Sequence, residues 1–359
     1  MKFRAFGDAR VSEVGLGCWQ IGGDQWGDVP EPDALGVLRA AVAAGVTFLD
    51  TADVYGAGRS EELIGRFLKE SPREKLFVAS KFGRFPRPGM PGNFDPKVIR
   101  EHTENSLKRL GVERLDLTQL HCLPMEQLKR PEVWETVRAL QKEGKIARFG
   151  ASVESTAEAD ECLKQPGLAS LQIIFNIFRQ TPEVGEPVPS RDEPGPVLPA
   201  PDESLRRGTG RASPTGGLLD RCKAKGVAII VRLPLASGLL AGKYTPKTTF
   251  GPNDHRTINR NGEKFNVGET FAGLGFEKGL ELIEKLKPLV PAGYTLPQLA
   301  LRWCLDHPAV TTIIPGARNR AQAEANAAAS DLAPLPADTH AKLRDFFLRD
   351  VKPAVRGPD

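Results

Sequence analysis

The chain has 359 residues, 40% hydrophobic and 26% charged, close to an average globular protein, which excludes a wholly disordered chain. With 49 Lys and Arg against 45 Asp and Glu the formal charge is +4, mild and dispersed, so charge gives no case for nucleic acid or an anionic membrane as partner. No run of about 18 apolar residues occurs, so a transmembrane helix is not expected.

The first residues, MKFRAFGDARVSEVGLG, carry Lys2 and Arg4 but no apolar h-region, so no secretory signal is expected. The five cysteines, Cys18, Cys122, Cys162, Cys222 and Cys304, are odd in number, far apart and form no CxxC pair. That pattern argues against a disulfide framework or a zinc site and for a reducing cytoplasm. Nothing in the sequence sets an oligomeric state.

In chain order, short apolar runs alternate with amphipathic stretches. The runs are Val14–Cys18, Val46–Leu49, Leu76–Ala79, Leu115–Leu120, Ile146–Phe149, Leu171–Phe175, Val227–Val231 and Val310–Ile314. Helices are predicted near Asp33–Ala44, Ser60–Lys69, Pro96–Leu110, Pro131–Glu143, Ser155–Gln165, Gly217–Lys225, Leu296–Asp306 and Arg320–Ala328. Asp95-Pro96 reads as an N-cap followed by proline at the first helical position, and Gly111 closes that helix. Ser155 with Glu158 has capping-box spacing, and Gly144 and Gly226 end two other helices.

Eight strands alternating with eight helices predict an α/β fold, a parallel eight-stranded (β/α)8 TIM barrel, read as a single domain over residues 1–359. The open doubly wound alternative lacks its fingerprint, because Gly15-Leu16-Gly17 continues into Cys18-Trp19-Gln20 rather than GxGxxG. Two stretches break the rhythm. Residues 182–214, after strand six, hold eight of the 30 prolines and read as a long insertion loop. Residues 243–276, after strand seven, are also irregular. Loops that follow barrel strands sit on the catalytic face, so both are placed to shape substrate access.

The same rule directs attention to the strand ends. Strand two ends at Asp50 and continues into Thr51-Ala52-Asp53-Val54-Tyr55-Gly56. Strand three ends at Lys81 and strand four at His121. Each residue alone has an ordinary structural explanation: a cap, a packed ring, a core histidine. Four such groups at three consecutive strand ends point to chemistry.

At these residues the sequence resembles the aldo-keto reductase family. The segments are FLDTADVYG (48–56), VASKFG (78–83), SLKRLGVERLDLTQLH (106–121), LASGLLAGK (235–243) and IPGARNRAQAEAN (314–326). The resemblance implies a catalytic tetrad of Asp50, Tyr55, Lys81 and His121. Tyr55 would protonate the carbonyl oxygen as hydride arrives. The Lys81 ammonium is expected to lower the phenol from its usual value near 10, with Asp50 holding Lys81 charged. His121 would donate a hydrogen bond to the same oxygen. No second ligand stands at metal spacing from His121, so no metal is expected.

The resemblance also implies a nicotinamide cofactor, NADPH in preference with NADH as the lesser choice, and a small-molecule aldehyde or ketone as substrate. Ser152 and Gln172 match positions that hold the carboxamide. Pro234, Leu235, Ser237, Gly238, Leu239 and Lys243 belong to the loop beside the pyrophosphate. Gly316, Ala317, Arg318, Gln322 and Asn326 match the adenosine and 2′-phosphate site, where Arg318 offers a forked cation beside a helix N-terminus.

Three positions depart from the family. Val153 stands where Asn is common, Ala325 where an acidic residue is expected, and Arg232 where an aromatic ring often stacks on the nicotinamide. A guanidinium plane can stack instead. Trp19, Trp26, Phe82 and Phe85 follow strands one and three and are candidates for an apolar substrate wall. Two other readings compete. One is a redox-sensing nicotinamide-binding module with little turnover that signals through the 182–214 loop. The other is a Schiff-base aldolase using Lys81, which the neighbouring Asp50 disfavours because it suits a charged lysine.

Overall fold

The computed structural model describes residues 1–27, 29–71, 75–85, 87, 90–184 and 216–358. Among the described residues ten strands form two sheets. A hairpin of β1 (Phe3–Phe6) and β2 (Ala9–Ser12) precedes a parallel eight-stranded sheet. Its strands are β3 (Leu16–Gly17), β4 (Phe48–Asp50), β5 (Phe77–Phe82), β6 (Leu117–His121), β7 (Phe149–Ser152), β8 (Leu168–Ile174), β9 (Ala228–Arg232) and β10 (Val310–Ile313). They pair in sequence order, and β3 meets β10 through Gly15 N to Ile313 O at 2.8 Å and Ile313 N to Glu13 O at 3.0 Å. The sheet is therefore a closed barrel with helices around it, as the alternation predicts.

Side-chain alternation sorts each strand into two faces. Outward residues such as Leu49, Val78, Leu120, Leu171, Ile229 and Ile313 join one large core with the helices. Inward residues Phe48, Phe77, Ala79, Leu117, Ala228 and Ile230 form a second core inside the barrel. Moving toward the strand C-termini, the inward set changes to Asp50, Lys81, Gln119, His121, Ser152, Gln172 and Arg232. The barrel is thus apolar at its base and polar at its mouth, and the change occurs within single strands.

The base is stoppered by the hairpin. Phe6 is fully buried against Phe77 (4.9 Å between ring centroids) and Phe48 (6.1 Å). Removing that ring leaves a cavity that the strand ends cannot collapse into. Phe6→Ala is expected to cost about 3–5 kcal/mol, read as a lower urea midpoint, with little change in KM because the mouth lies at the other end.

The predicted helices are present, with ends shifted by three residues or fewer: Glu31–Ala43, Arg59–Leu68, Pro96–Leu110, Pro131–Lys142, Thr156–Cys162, Leu218–Ala224, Leu296–Leu305 and Arg320–Ala327. Gly111 closes its helix in the left-handed region (φ 66°), and Ser155 accepts from Glu158 N at 3.2 Å. Asp95 stands at the N-cap position but makes no capping bond; its carboxylate lies 3.2 Å from Arg130 instead. The hairpin and the helices Phe276–Leu286 and Ala337–Phe346 are additions to the sequence reading. Of the 182–214 insertion, only 182–184 are described, at the end of the short helix Thr181–Val184; the remainder lies outside the described residues. Among the described residues no helix is long and apolar enough to cross a membrane.

Candidate active site at the barrel mouth

Three adjacent strands bring the tetrad together. Asp50 and Lys81 both face inward at the ends of β4 and β5, and Lys81 pairs in register with Gln119 of β6. Tyr55 sits on the turn after β4. Gly56 fixes that turn: its φ is 60°, and a Cβ there would fall 2.2 Å from Gly22 O. Any other residue would strain this turn and displace the backbone that carries the phenol.

Lys81 Nζ donates to Asp50 Oδ1 at 2.5 Å, Thr51 O at 2.9 Å and the Tyr55 hydroxyl at 3.2 Å. The other Asp50 oxygen accepts from Gln172 Nε2 at 2.8 Å and Gln119 Nε2 at 3.2 Å. The ion pair is fully buried and its hydrogen bonds are filled, which is the condition for a buried pair to persist. Burial favours the neutral amine, but Asp50 and Tyr55 outweigh it and hold Lys81 above its usual range. An ammonium so held is a poor Schiff-base nucleophile.

The Tyr55 ring stacks on Trp19 (5.7 Å, 19°) and meets His121 edge-on (5.9 Å, 87°). Burial raises the Tyr55 phenol, and Lys81 offsets only part of that. The expected lowering by Lys81 is therefore overturned: desolvation wins, and Tyr55 is a neutral phenol at physiological pH. His121 is 4% exposed and its Nδ1 has no partner. Burial, then Arg84, Lys81 and Arg232, push its imidazole well below the ordinary value. A neutral ring keeps one N–H for a ligand oxygen.

A cleft of about 510 Å³ opens over these groups. Its lining includes Asp50, Tyr55, His121, Gln172, Arg232, Pro234, Leu235, Ser237, Gly238, Lys243, Gly316, Ala317, Arg318, Gln322, Asn326, Trp19 and Trp26. Lys81 and Ser152 stand just behind it, Ser152 Oγ lying 3.4 Å from Gln172 Oε1. Three further expected residues do not line it. Phe82 points outward into the helix-facing core because the strand alternates after Lys81. Phe85 is 39% exposed and packs on His102 at 6.0 Å. Leu239 is buried in the core beneath its loop.

The loop after β9 is unusual. Leu233, Ala236 and Ser237 all adopt positive φ (55°, 48° and 54°), which costs about 1–2 kcal/mol for each non-glycine residue. Asn176 Nδ2 holds Leu233 O at 2.9 Å, while Ser237 Oγ donates to Glu269 O at 2.9 Å and accepts from Phe271 N at 3.2 Å. These bonds tie the loop to the 243–276 segment. That segment also reaches across to the first loop, where His255 packs on Trp19 and Trp26 at 5.0 and 4.4 Å.

At the turn after β10, Arg318 N donates to Gln322 Oε1 at 2.8 Å and Asn326 Nδ2 to Gly316 O at 3.1 Å. Asn319 caps the helix Arg320–Ala327. The side chains of Lys243 and Arg318 are exposed and make no ion pair among the described residues.

Several site residues escaped the sequence reading. Gln20 lies across Gly316, where an added Cβ would fall 1.9 Å from its Oε1. Gln119 helps hold Asp50. A buried ionic cluster stands beside His121: Arg84 donates to both Glu269 oxygens and to Glu154 Oε1 at 2.9 Å. Arg232 lies 3.4 Å from Glu269 and donates to Val153 O at 3.2 Å. Burial raises the Glu154 carboxyl; for Glu269, Arg84 and Arg232 outweigh burial and lower it.

The residues present fit a phosphate-bearing dinucleotide. One end of the lining carries free cations and a capped helix start, which suit phosphate. The other end carries the neutral phenol and imidazole, with the buried Nε of Arg232 lacking a partner.

The sequence profile of the Aldo/keto reductase family matches residues 13–188 and 211–347. The aldo-keto reductase str7 of Strobilurus tenacellus is 32% identical over 340 residues, covering 92% of this chain and 87% of that protein. The NADH-specific methylglyoxal reductase of Escherichia coli (strain K12) is 28% identical over 342 residues, covering 90% of this chain and 91% of that protein. Among solved structures, the glycerol dehydrogenase AKR11B4 from Gluconobacter oxydans aligns with a TM-score of 0.71 at 27% identity, over 97% of this chain and 95% of that one. Barrel, cleft and profile agree, and the chain belongs to the aldo/keto reductase family of oxidoreductases, which act on carbonyl and alcohol groups with NAD(P)H.

Proposed function

We propose that this protein reduces a small aldehyde or ketone to the alcohol, with NADPH as the preferred cofactor and Tyr55 as the proton donor. The observation that carries the reading is the buried chain Asp50–Lys81–Tyr55, with a 3.2 Å contact from ammonium to phenol, opening beside a neutral His121 in a cleft. When bound, the nicotinamide supplies the hydride, which no side chain can. The chain's residues do the rest. His121 donates to the carbonyl oxygen and orients it. As the carbonyl carbon gains the hydride, Tyr55 gives its proton to that oxygen, so an alcohol and a phenolate result. Lys81 stabilises the phenolate, and Asp50, held by Gln119 and Gln172, keeps Lys81 in place.

The preference for NADPH rests on Arg318 and Lys243, two exposed cations beside the cap of the helix Arg320–Ala327. The titration of purified protein with NADPH and NADH, followed by a panel of carbonyl compounds at 340 nm, tests both parts. A charged hydrogen bond contributes about 1.5–3 kcal/mol, so Arg318→Ala is expected to weaken NADPH roughly 10- to 100-fold. NADH should move far less. Equal weakening of the two would show that Arg318 does not read the 2′-phosphate. No observation favours the redox-sensing alternative, whose signalling loop lies outside the described residues from 185 onward.

A further inference from the structure

Resting on the nicotinamide reading above, we infer that Arg232 makes the site discriminate between the oxidation states of the cofactor, holding the reduced form more tightly than the oxidised one. Arg232 ends β9 facing inward, lines the cleft with Tyr55, His121 and Gln172, and is 8% exposed. Its Nε has no hydrogen-bond partner. One terminal nitrogen donates to Val153 O at 3.2 Å and stands 3.7 Å from Cys122 Sγ; the other lies 3.4 Å from Glu269.

Glu269 does not neutralise it alone, because both of its oxygens accept from Arg84. The second carboxylate of the cluster, Glu154, bonds to Arg84 and not to Arg232. Two guanidiniums therefore share one cleft-lining carboxylate, and Arg232 holds the weaker portion. Val153 O, which it touches, follows Ser152 directly, so the cation stands beside the wall that Gln172 lines and Ser152 backs.

A nicotinamide ring that exchanges hydride with a carbonyl held by Tyr55 and His121 lies within reach of this wall. The ring is neutral when reduced and carries a positive charge when oxidised. A buried, partly compensated cation beside it opposes only the oxidised form, and low local polarity makes the opposition stronger than in water. Arg232 acts on the cofactor's charge and not on the proton transfer, so its effect appears in binding without turnover.

The test uses the full chain. Trp19 and Trp26 line the cleft, so quenching of tryptophan fluorescence reports nucleotide binding with no substrate present. Dissociation constants for NADPH and NADP+ are measured for wild type, Arg232→Lys, Arg232→Gln and Arg232→Met. The neutral variants keep the Arg84–Glu269 bonds, so Glu269 is not orphaned. The expected result is that the ratio of the two constants shifts about tenfold toward NADP+ in Gln and Met and stays near wild type in Lys. An unchanged ratio in both neutral variants, or a loss in Lys equal to that in Gln, overturns the inference while leaving the nicotinamide reading intact. Failure of wild type to bind either nucleotide overturns both.

Discussion

Tyr55→Phe is expected to slow carbonyl reduction by about 10²–10⁴-fold while leaving NADPH binding within about twofold. The ring stays, so its stacking on Trp19 and its edge contact with His121 stay too. What disappears is the hydroxyl that Lys81 approaches at 3.2 Å. The loss should fall in kcat, because the proton moves only in the transition state. The pH dependence follows from the raised phenol. An acid whose pKa is raised keeps its proton to higher pH, so reduction should be flat from about pH 6 to 9. Oxidation of the alcohol needs the phenolate and should rise across the same range. His121, pushed down and neutral, should add no limb near pH 6.5. A reduction rate that falls between pH 7 and 9 would mean that Lys81, not burial, governs the phenol.

Lys81→Met is the second large effect, and it separates stability from chemistry. It removes one partner of a fully buried pair and leaves the Asp50 carboxylate among Gln119, Gln172 and apolar walls. Breaking such a pair costs about 3–5 kcal/mol. The rate should fall by about 10²-fold or more as well, because the phenolate formed at Tyr55 loses its counter-charge. The double variant Lys81→Met with Asp50→Leu removes the orphaned charge. Its urea midpoint should recover part of the loss, although the amides of Gln119 and Gln172 then lack their acceptor. Its activity should not recover at all. Recovery of both would make the pair a structural element only. A double-mutant cycle on the two readouts gives the answer, since contacting residues are not additive.

The strand pattern was legible because parallel barrel strands are buried on both faces and read as apolar runs. The placement of Asp50, Lys81 and His121 was legible for a related reason: a polar residue that ends such a run has nowhere to point but the mouth, whereas Tyr55, on the loop after β4, was marked out by the family resemblance. The β1–β2 hairpin carried a signal in Gly7-Asp8 between two short alternating segments, a two-residue turn pair. The helix Phe276–Leu286 carried one too, with Phe276, Gly279, Leu282, Ile283 and Leu286 along one face. The flanking irregular stretch of 243–276 obscured it.

Other features had no local signal. Arg84 meets partners 70 and 185 residues away, Glu154 and Glu269, so no window of sequence contains that cluster. The outward turn of Phe82 follows from strand register, since Lys81 faces in and its neighbour must face out. The raised Tyr55 phenol depends on how completely the rings of Trp19 and His121 and the strand ends exclude water. Charge spacing along the chain shows the ammonium but not the desolvation, which is why the direction of the shift came out reversed.

The dinucleotide is expected to lie along this cleft with its reactive ring over Tyr55 and His121. A crystal structure of the chain grown with NADP+ tests it most directly. The nicotinamide C4 is expected within about 4 Å of the space between the Tyr55 hydroxyl and the His121 ring, where a carbonyl in reacting geometry would sit, with the 2′-phosphate at Arg318. A dinucleotide bound in the reverse sense, with adenine over Tyr55, or bound outside the barrel mouth, would contradict it.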